Sequence, residues 1–131
     1  MTTTEDILAA LEGLADAFNA HDIDKVMSYF DADCSLDMPR GRDPHGTRYL
    51  GLEAVRRGLL TRFETTPDVH YGEPEHFVSG DTGITKWLLT GTTQSGEKVE
   101  VRGCDFYTFR RGKVTRKDSY WKIVERAAAG T

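Results

Sequence analysis

The sequence predicts an α+β domain shaped like a cone, with three N-terminal helices packed on a strongly curved antiparallel or mixed β-sheet that encloses a pocket. Three observations carry this. Apolar residues recur at helical spacing through the first half, and runs rich in Val, Thr, Tyr, Phe and Trp alternate with turn residues in the second half. No linker, repeat or long apolar run interrupts the 131 residues, so one domain over 1–131 is expected.

The first helix starts at Thr2-Thr3-Thr4-Glu5, which offers a capping box, and runs to about Ala20 on Ile7, Leu11, Leu14, Ala15 and Phe18. His21-Asp22 breaks it, and Asp22 caps a short second helix whose Val26, Met27 and Phe30 face inward. Asp33 to Met38 reads as a strand ending at Pro39, and Pro39 to Tyr49 as a loop rich in Gly, Pro and charge. From Gly51 a third helix follows on Leu52, Val55, Leu59 and Phe63 and stops near Thr65-Thr66-Pro67. Val69–Val78, Gly83–Thr93, Glu97–Arg110 and Lys113–Val124 are strands joined as hairpins through Ser79-Gly80-Asp81, Gln94-Ser95-Gly96 and Arg110-Arg111-Gly112.

Hydrophobic residues make up 38% and charged residues 29%, values of an ordinary globular protein rather than a disordered or membrane one. A net charge of -4, with basic residues scattered among acids, gives no basic face for nucleic acid. The opening residues lack the pattern of a secretory signal, so a cytoplasmic protein is expected, with Cys34 and Cys104 as reduced thiols. His21, His45, His70 and His76 form no triad with nearby acids, and no phosphate loop, nucleophile elbow or CxxC is present. Neither a metal nor another cofactor is expected.

Alternation along Val99 to Phe109 puts Val99, Val101, Gly103, Asp105, Tyr107 and Phe109 on one face, where Asp105 is the one charge. An acid on an apolar stripe either finds a partner or stays protonated, and both outcomes suit a site; a structural ion pair is the plainer alternative. A two-residue turn at Ser95-Gly96 puts Lys86 opposite Asp105, and one extra loop residue or a bulge puts Trp87 there. On the last strand Lys117, Ser119 and Trp121 share a face that closes around Asp105, with Lys117 as a partner for the acid or a solvated lysine at the pocket mouth. Asp37, beside the Pro39-Arg40-Gly41 bend, is a second acid, either a general base or a strand-end cap.

Three stretches then carry a resemblance: Phe18-Asn19-Ala20-His21-Asp22-Ile23-Asp24, Tyr49-Leu50-Gly51, and Gly103-Cys104-Asp105-Phe106-Tyr107 through Gly112-Lys113-Val114 to Lys117-Asp118-Ser119-Tyr120-Trp121. Together they resemble the SnoaL-like, ketosteroid-isomerase-like branch of the NTF2-like superfamily, over nearly the whole chain. In the isomerases of that branch a protonated Asp completes the oxyanion hole, and Asp105 matches its place. The resemblance departs elsewhere. Met38 stands where the general base would, with Asp37 one residue earlier; Leu14 stands where the oxyanion Tyr would; and Ser119 falls near the acid of the superfamily's epoxide hydrolases. Trp121 falls where an aromatic wall residue is common.

The resemblance implies a small hydrophobic organic ligand, with isomerase- or cyclase-type acid-base chemistry at Asp105 set by Lys117 or Lys86. Asp37, Asp105 and Lys117 are the catalytic candidates. Phe18, Phe30, Met38, Lys86, Tyr107, Ser119 and Trp121 are the ligand-binding ones. The alternative is a noncatalytic binding or dimerisation module. A homodimer is the expected partner state; an adaptor role is a third reading, resting on an outer patch of Phe106, Tyr120 and Trp87.

Overall fold

The computed structural model describes residues 2–125. Helix α1 (Thr4–Asn19) opens on a complete capping box, with Thr3 as N-cap. The Thr3 hydroxyl accepts from the Asp6 backbone N–H, and the Asp6 carboxylate accepts from the Thr3 backbone N–H, both at 3.1 Å. The helix ends where His21 takes a left-handed φ of 55°. That turn lets His21 Nε2 meet the Val69 carbonyl at 2.7 Å and its ring stack on Phe63 at 4.6 Å, which ties the helix end to the sheet and to the third helix.

Helix α2 (Ile23–Met27) is capped by Asp22, whose carboxylate accepts from Lys25 N–H at 3.1 Å. Phe30 is buried as expected, but it begins strand β1 (Phe30–Asp37) instead of sitting on the helix. The parallel pairing of β1 with the last strand extends back to Phe30 and draws it into the sheet. Helix α3 (Leu52–Thr65) turns Val55 and Leu59 inward.

Strand β2 (Arg48–Leu50) lies inside the stretch read as loop. It has three residues, pairs on one side only, and is held by Asp37↔Arg48, so it carries no alternation of its own. Strands β3 (His70–Ser79), β4 (Thr82–Thr92), β5 (Lys98–Arg110) and β6 (Lys113–Trp121) follow as a meander. The sheet order is β2-β1-β6-β5-β4-β3, with β1 and β6 parallel and every other pair antiparallel. Strand β6 stops at Trp121, short of the expected Val124: its second neighbour β1 already ends at Asp37, opposite Asp118, and Ile123 and Val124 are exposed.

Irregularities in β1, β3 and β5–β6 pairing bend the sheet over the helices. Between them lies a core of Ile7, Leu11, Leu14, Phe18, Leu36, Val55, Phe109 and their neighbours, with a satellite of Val69, Trp87, Leu89 and Val101. Gly83 sets the distance between α1 and the sheet, since a Cβ there would fall 2.9 Å from Ile7 and 3.0 Å from Leu11. Phe106 and Tyr120 meet edge-on at 5.6 Å on the opposite, outer face.

Candidate functional site

The β4–β5 turn decides what surrounds Asp105. Thr93 N–H donates to the Glu97 carbonyl at 2.8 Å and Gly96 N–H to the Thr93 carbonyl at 2.9 Å, so the loop is Gln94-Ser95-Gly96, with Gly96 at φ 88°. The third loop residue shifts the register the other way from the sequence expectation. Thr85 stands opposite Asp105, Lys86 opposite Cys104, and Trp87 opposite Gly103. Lys86 therefore points to the outer face, where it is 58% exposed and 3.9 Å from Glu75; it is not a pocket residue.

Asp105 itself is inside, 5% exposed, between Val101 and Tyr107 on the buried face of β5. Ser119 is its direct cross-strand neighbour, while Lys117 and Trp87 reach it diagonally from β6 and β4. Oδ1 accepts from Ser119 Oγ at 2.6 Å and from Lys117 Nζ at 3.1 Å; Oδ2 accepts from Trp87 Nε1 at 2.9 Å. Lys117 Nζ also donates to Ser119 Oγ at 2.8 Å and lies 5.5 Å from the Phe18 ring centre and 5.9 Å from that of Tyr107. Every neighbour donates, one of them a cation, so the carboxyl group here is an acceptor rather than the proton donor of an oxyanion hole.

Gly103 makes this geometry possible. A Cβ there would lie 2.5 Å from the Trp87 ring and 2.5 Å from the Tyr120 carbonyl, so only glycine lets the indole lie flat enough to reach Asp105. Trp87, 3% exposed, is thus an inward donor and not part of an outer patch. From the sequence, Trp87 stands opposite Asp105, in the core, or on an outer or dimer surface; it is in the core, and the diagonal of a three-residue hairpin is the signal that brings it to Asp105.

The cavity over these groups is walled by Leu11, Ala15, Phe18, Tyr71, Thr85, Trp87, Asp105, Tyr107 and Lys117, with Pro74 at the rim. Its volume is about 20 Å³. One water needs roughly 10–15 Å³ on that measure, so the space is narrower than the expected ligand pocket and seats a water or two. Burial, then the nearby Asp105 charge, holds the Tyr71 and Tyr107 phenols far above their ordinary pKa, so both stay neutral. His76 touches the Thr85 hydroxyl at 2.9 Å, and its burial lowers its pKa.

Of the remaining candidates, Phe18, Tyr107 and Ser119 meet at this group, whereas Phe30 and Met38 pack in the core away from the cavity wall. Trp121 backs Trp87 edge-on at 5.8 Å instead of lining the space. Asp37 is elsewhere altogether. Its carboxylate, 0% exposed, is gripped by Arg48 at 2.7 and 3.0 Å and by Arg116 at 2.9 Å, and Arg116 reaches on to Asp118 at 3.3 Å. Arg48, through its hydrogen bond, lowers the Asp37 pKa most, with Arg116 adding to it. A carboxylate saturated by two guanidiniums on the outer face clamps β2, β1 and β6 together and serves no pocket base.

Among the described residues no three His, Cys, Asp or Glu side chains converge as metal ligands, and no helix is long and apolar enough to cross a membrane. No curated protein matches the chain in sequence. Solved structures match closely in shape. One is a candidate polyketide cyclase from Xanthomonas campestris pv. campestris, with TM-score 0.80 at 17% identity, covering 90% of this chain and 91% of that one. A second is TerC co-crystallized with polyporic acid, with TM-score 0.77 at 20% identity and coverage of 89% and 92%. A third is an NTF2-like protein of unknown function from Mesorhizobium loti, with TM-score 0.75 at 22% identity and coverage of 92% and 93%. At these identities the likeness is one of fold. The sequence pattern of the SnoaL-like domain matches residues 11–117, and with the three-helix, six-stranded architecture this settles the kinship: the chain belongs to the SnoaL-like family of NTF2-like proteins.

Proposed function

We propose that this protein binds a small, mainly apolar organic molecule that presents a carbonyl or enol oxygen to Lys117, and that the Lys117–Asp105 pair carries out acid-base chemistry of isomerase or cyclase type on it. The carrying observation is the buried ion pair itself, set among Phe18, Trp87 and Tyr107. Lys117 has three N–H groups and uses two, on Asp105 and Ser119, which leaves one for a ligand oxygen. A cation fixed in apolar surroundings stabilises negative charge developing on that oxygen better than water does. Asp105 holds the cation in place, and its Oδ2, with one donor from Trp87, keeps a lone pair able to take a proton from the carbon next to the carbonyl. The chemistry thus differs from an oxyanion hole built on a protonated acid.

Because the space seats only a water or two, binding requires wall side chains, such as the rings of Tyr71 or Trp87, to turn aside. The fold neighbour that holds polyporic acid supports an organic ligand in this architecture. The test uses a simple enolisable ketone, 2-tetralone, in D2O, with α-proton exchange followed by proton NMR. Exchange faster with protein than with buffer, lost in Asp105→Asn and in Lys117→Met, supports the catalytic reading. Saturable binding of the ketone with no acceleration turns the assignment to the noncatalytic binding module.

A further inference from the structure

Of the arginines on helices and strands, Arg48, Arg56, Arg57, Arg102, Arg110 and Arg116 each stand within 4.0 Å of a carboxylate. Arg62 on α3, half-buried, has no such partner among the described residues. It lies instead across the indole of Trp121, its guanidinium carbon 4.4 Å from the ring centre. Burial is the main influence on Arg62 and lowers its pKa; Arg40 pushes the same way, while Tyr71 and Asp105 oppose it.

We infer that Arg62 anchors an acidic group, a carboxylate or an acidic enol, on the organic molecule whose apolar body occupies the neighbouring cavity. The inference rests on the binding reading above and names the class of ligand. Stacking uses the flat face of a guanidinium; its N–H groups lie in the plane, where one is shared with the Tyr71 hydroxyl and the others are left for a planar anion. The distance from the cavity is one layer of rings. Trp121 meets Trp87 at 5.8 Å, Trp87 meets Tyr71 at 5.2 Å, and Trp87 and Tyr71 are both cavity walls. The rings of Tyr71 and Trp87 thus wall the cavity on the side toward Arg62.

Charge accounting points the same way. Asp105 and Lys117 pair with each other, so Arg62 stays half out of water with the Trp121 ring and the Tyr71 hydroxyl beside it and no carboxylate within ion-pair distance among the described residues. Arg40, on the exposed loop after β1, adds a second positive influence. A ligand with one negative group restores the balance, and its acid end then lies against Arg62 while its body lies toward Lys117.

The experiment compares 1-naphthoate with its neutral counterpart 1-naphthamide, binding being read from intrinsic fluorescence. The two tryptophans, Trp87 and Trp121, both sit at the proposed site. The wild-type protein is expected to bind the carboxylate at least tenfold more tightly than the amide. Arg62→Gln brings the two to parity with amide binding unchanged within about twofold, and Arg62→Lys, which keeps the charge, retains part of the preference. Equal affinity in the wild type, or a preference undiminished in Arg62→Gln, overturns the anchor. Ala15→Phe, which fills the cavity, separates the two readings. Loss of both probes in this variant supports the cavity; carboxylate binding that survives it but depends on Arg62 keeps the anchor and overturns the cavity. Binding of neither probe to the wild type overturns both.

Discussion

The indole N–H of Trp87 donates to Asp105 Oδ2 at 2.9 Å across a diagonal of β4 and β5, while the opposite diagonal brings in Lys117. One acid in the middle strand is thereby held from both neighbouring strands. Its hydrogen bonds are satisfied, so the pair persists in the interior, yet its cation still has a donor to give.

Burying this pair is costly, and breaking it is costlier. Lys117→Met leaves an uncompensated buried carboxylate and is expected to lower stability by about 3–5 kcal/mol. Asp105→Leu combined with Lys117→Met removes both charges and recovers most of that loss. Urea unfolding of the single and double variants checks this; a double variant as unstable as the sum of the singles contradicts it.

Gly103→Ala places a methyl group 2.5 Å from the Trp87 ring and from the Tyr120 carbonyl. The indole must shift and lose Asp105, with a cost of about 1–3 kcal/mol from overpacking and the lost donor. The near-ultraviolet circular dichroism of Trp87 changes with it. Gly83→Ala, which presses on Ile7 and Leu11 instead, destabilises the α1–sheet contact without altering the Trp87 signal.

Asp37 gives stability a pH dependence at the acid end. Its folded pKa lies below the ordinary 3.8, so its contribution is in full above that value and is lost as pH falls through the lower folded value. Stability measured from pH 7 down to pH 2 therefore drops more steeply in the wild type than in Asp37→Asn at the bottom of the range. Parallel profiles would show that the Arg48 and Arg116 contacts do not hold the acid ionised. The same substitution leaves ligand binding at Asp105 unchanged, because Asp37 faces the other side of the sheet.

His76 acts nearer neutrality. Burial lowers its folded pKa beneath the ordinary 6.5, so its share of stability is present above about pH 6.5 and declines as pH falls through the folded value. His76→Gln is expected to flatten the stability profile below about pH 6.5; an unchanged slope contradicts a half-buried neutral imidazole beside Thr85.

Much of this was legible in the residues. Helical spacing on Ile7, Leu11 and Leu14, the Thr3 cap, and the alternation around Asp105 each follow from local periodicity, which burial then enforces. Register did not follow, because it turned on whether the Ser95-Gly96 turn held two residues or three, and Thr93 could pair either way. Strand β2 was hidden since its pairing comes from Asp37 rather than from any pattern in Arg48-Tyr49-Leu50. The size of the cavity depends on the rotamers of Tyr71 and Trp87, and the clamp on Asp37 on two arginines far along the chain; neither is written in a single segment.

The claim on which the account rests is that a ligand comes to lie against the Asp105–Lys117 pair. Titration of 2-tetralone into 15N-labelled protein, followed at the Trp87 indole N–H, tests it most directly. We predict a saturable shift of that resonance which disappears in the cavity-filled Ala15→Phe variant. A Trp87 signal that stays fixed while residues of the outer face, such as Phe106 or Tyr120, respond would contradict it.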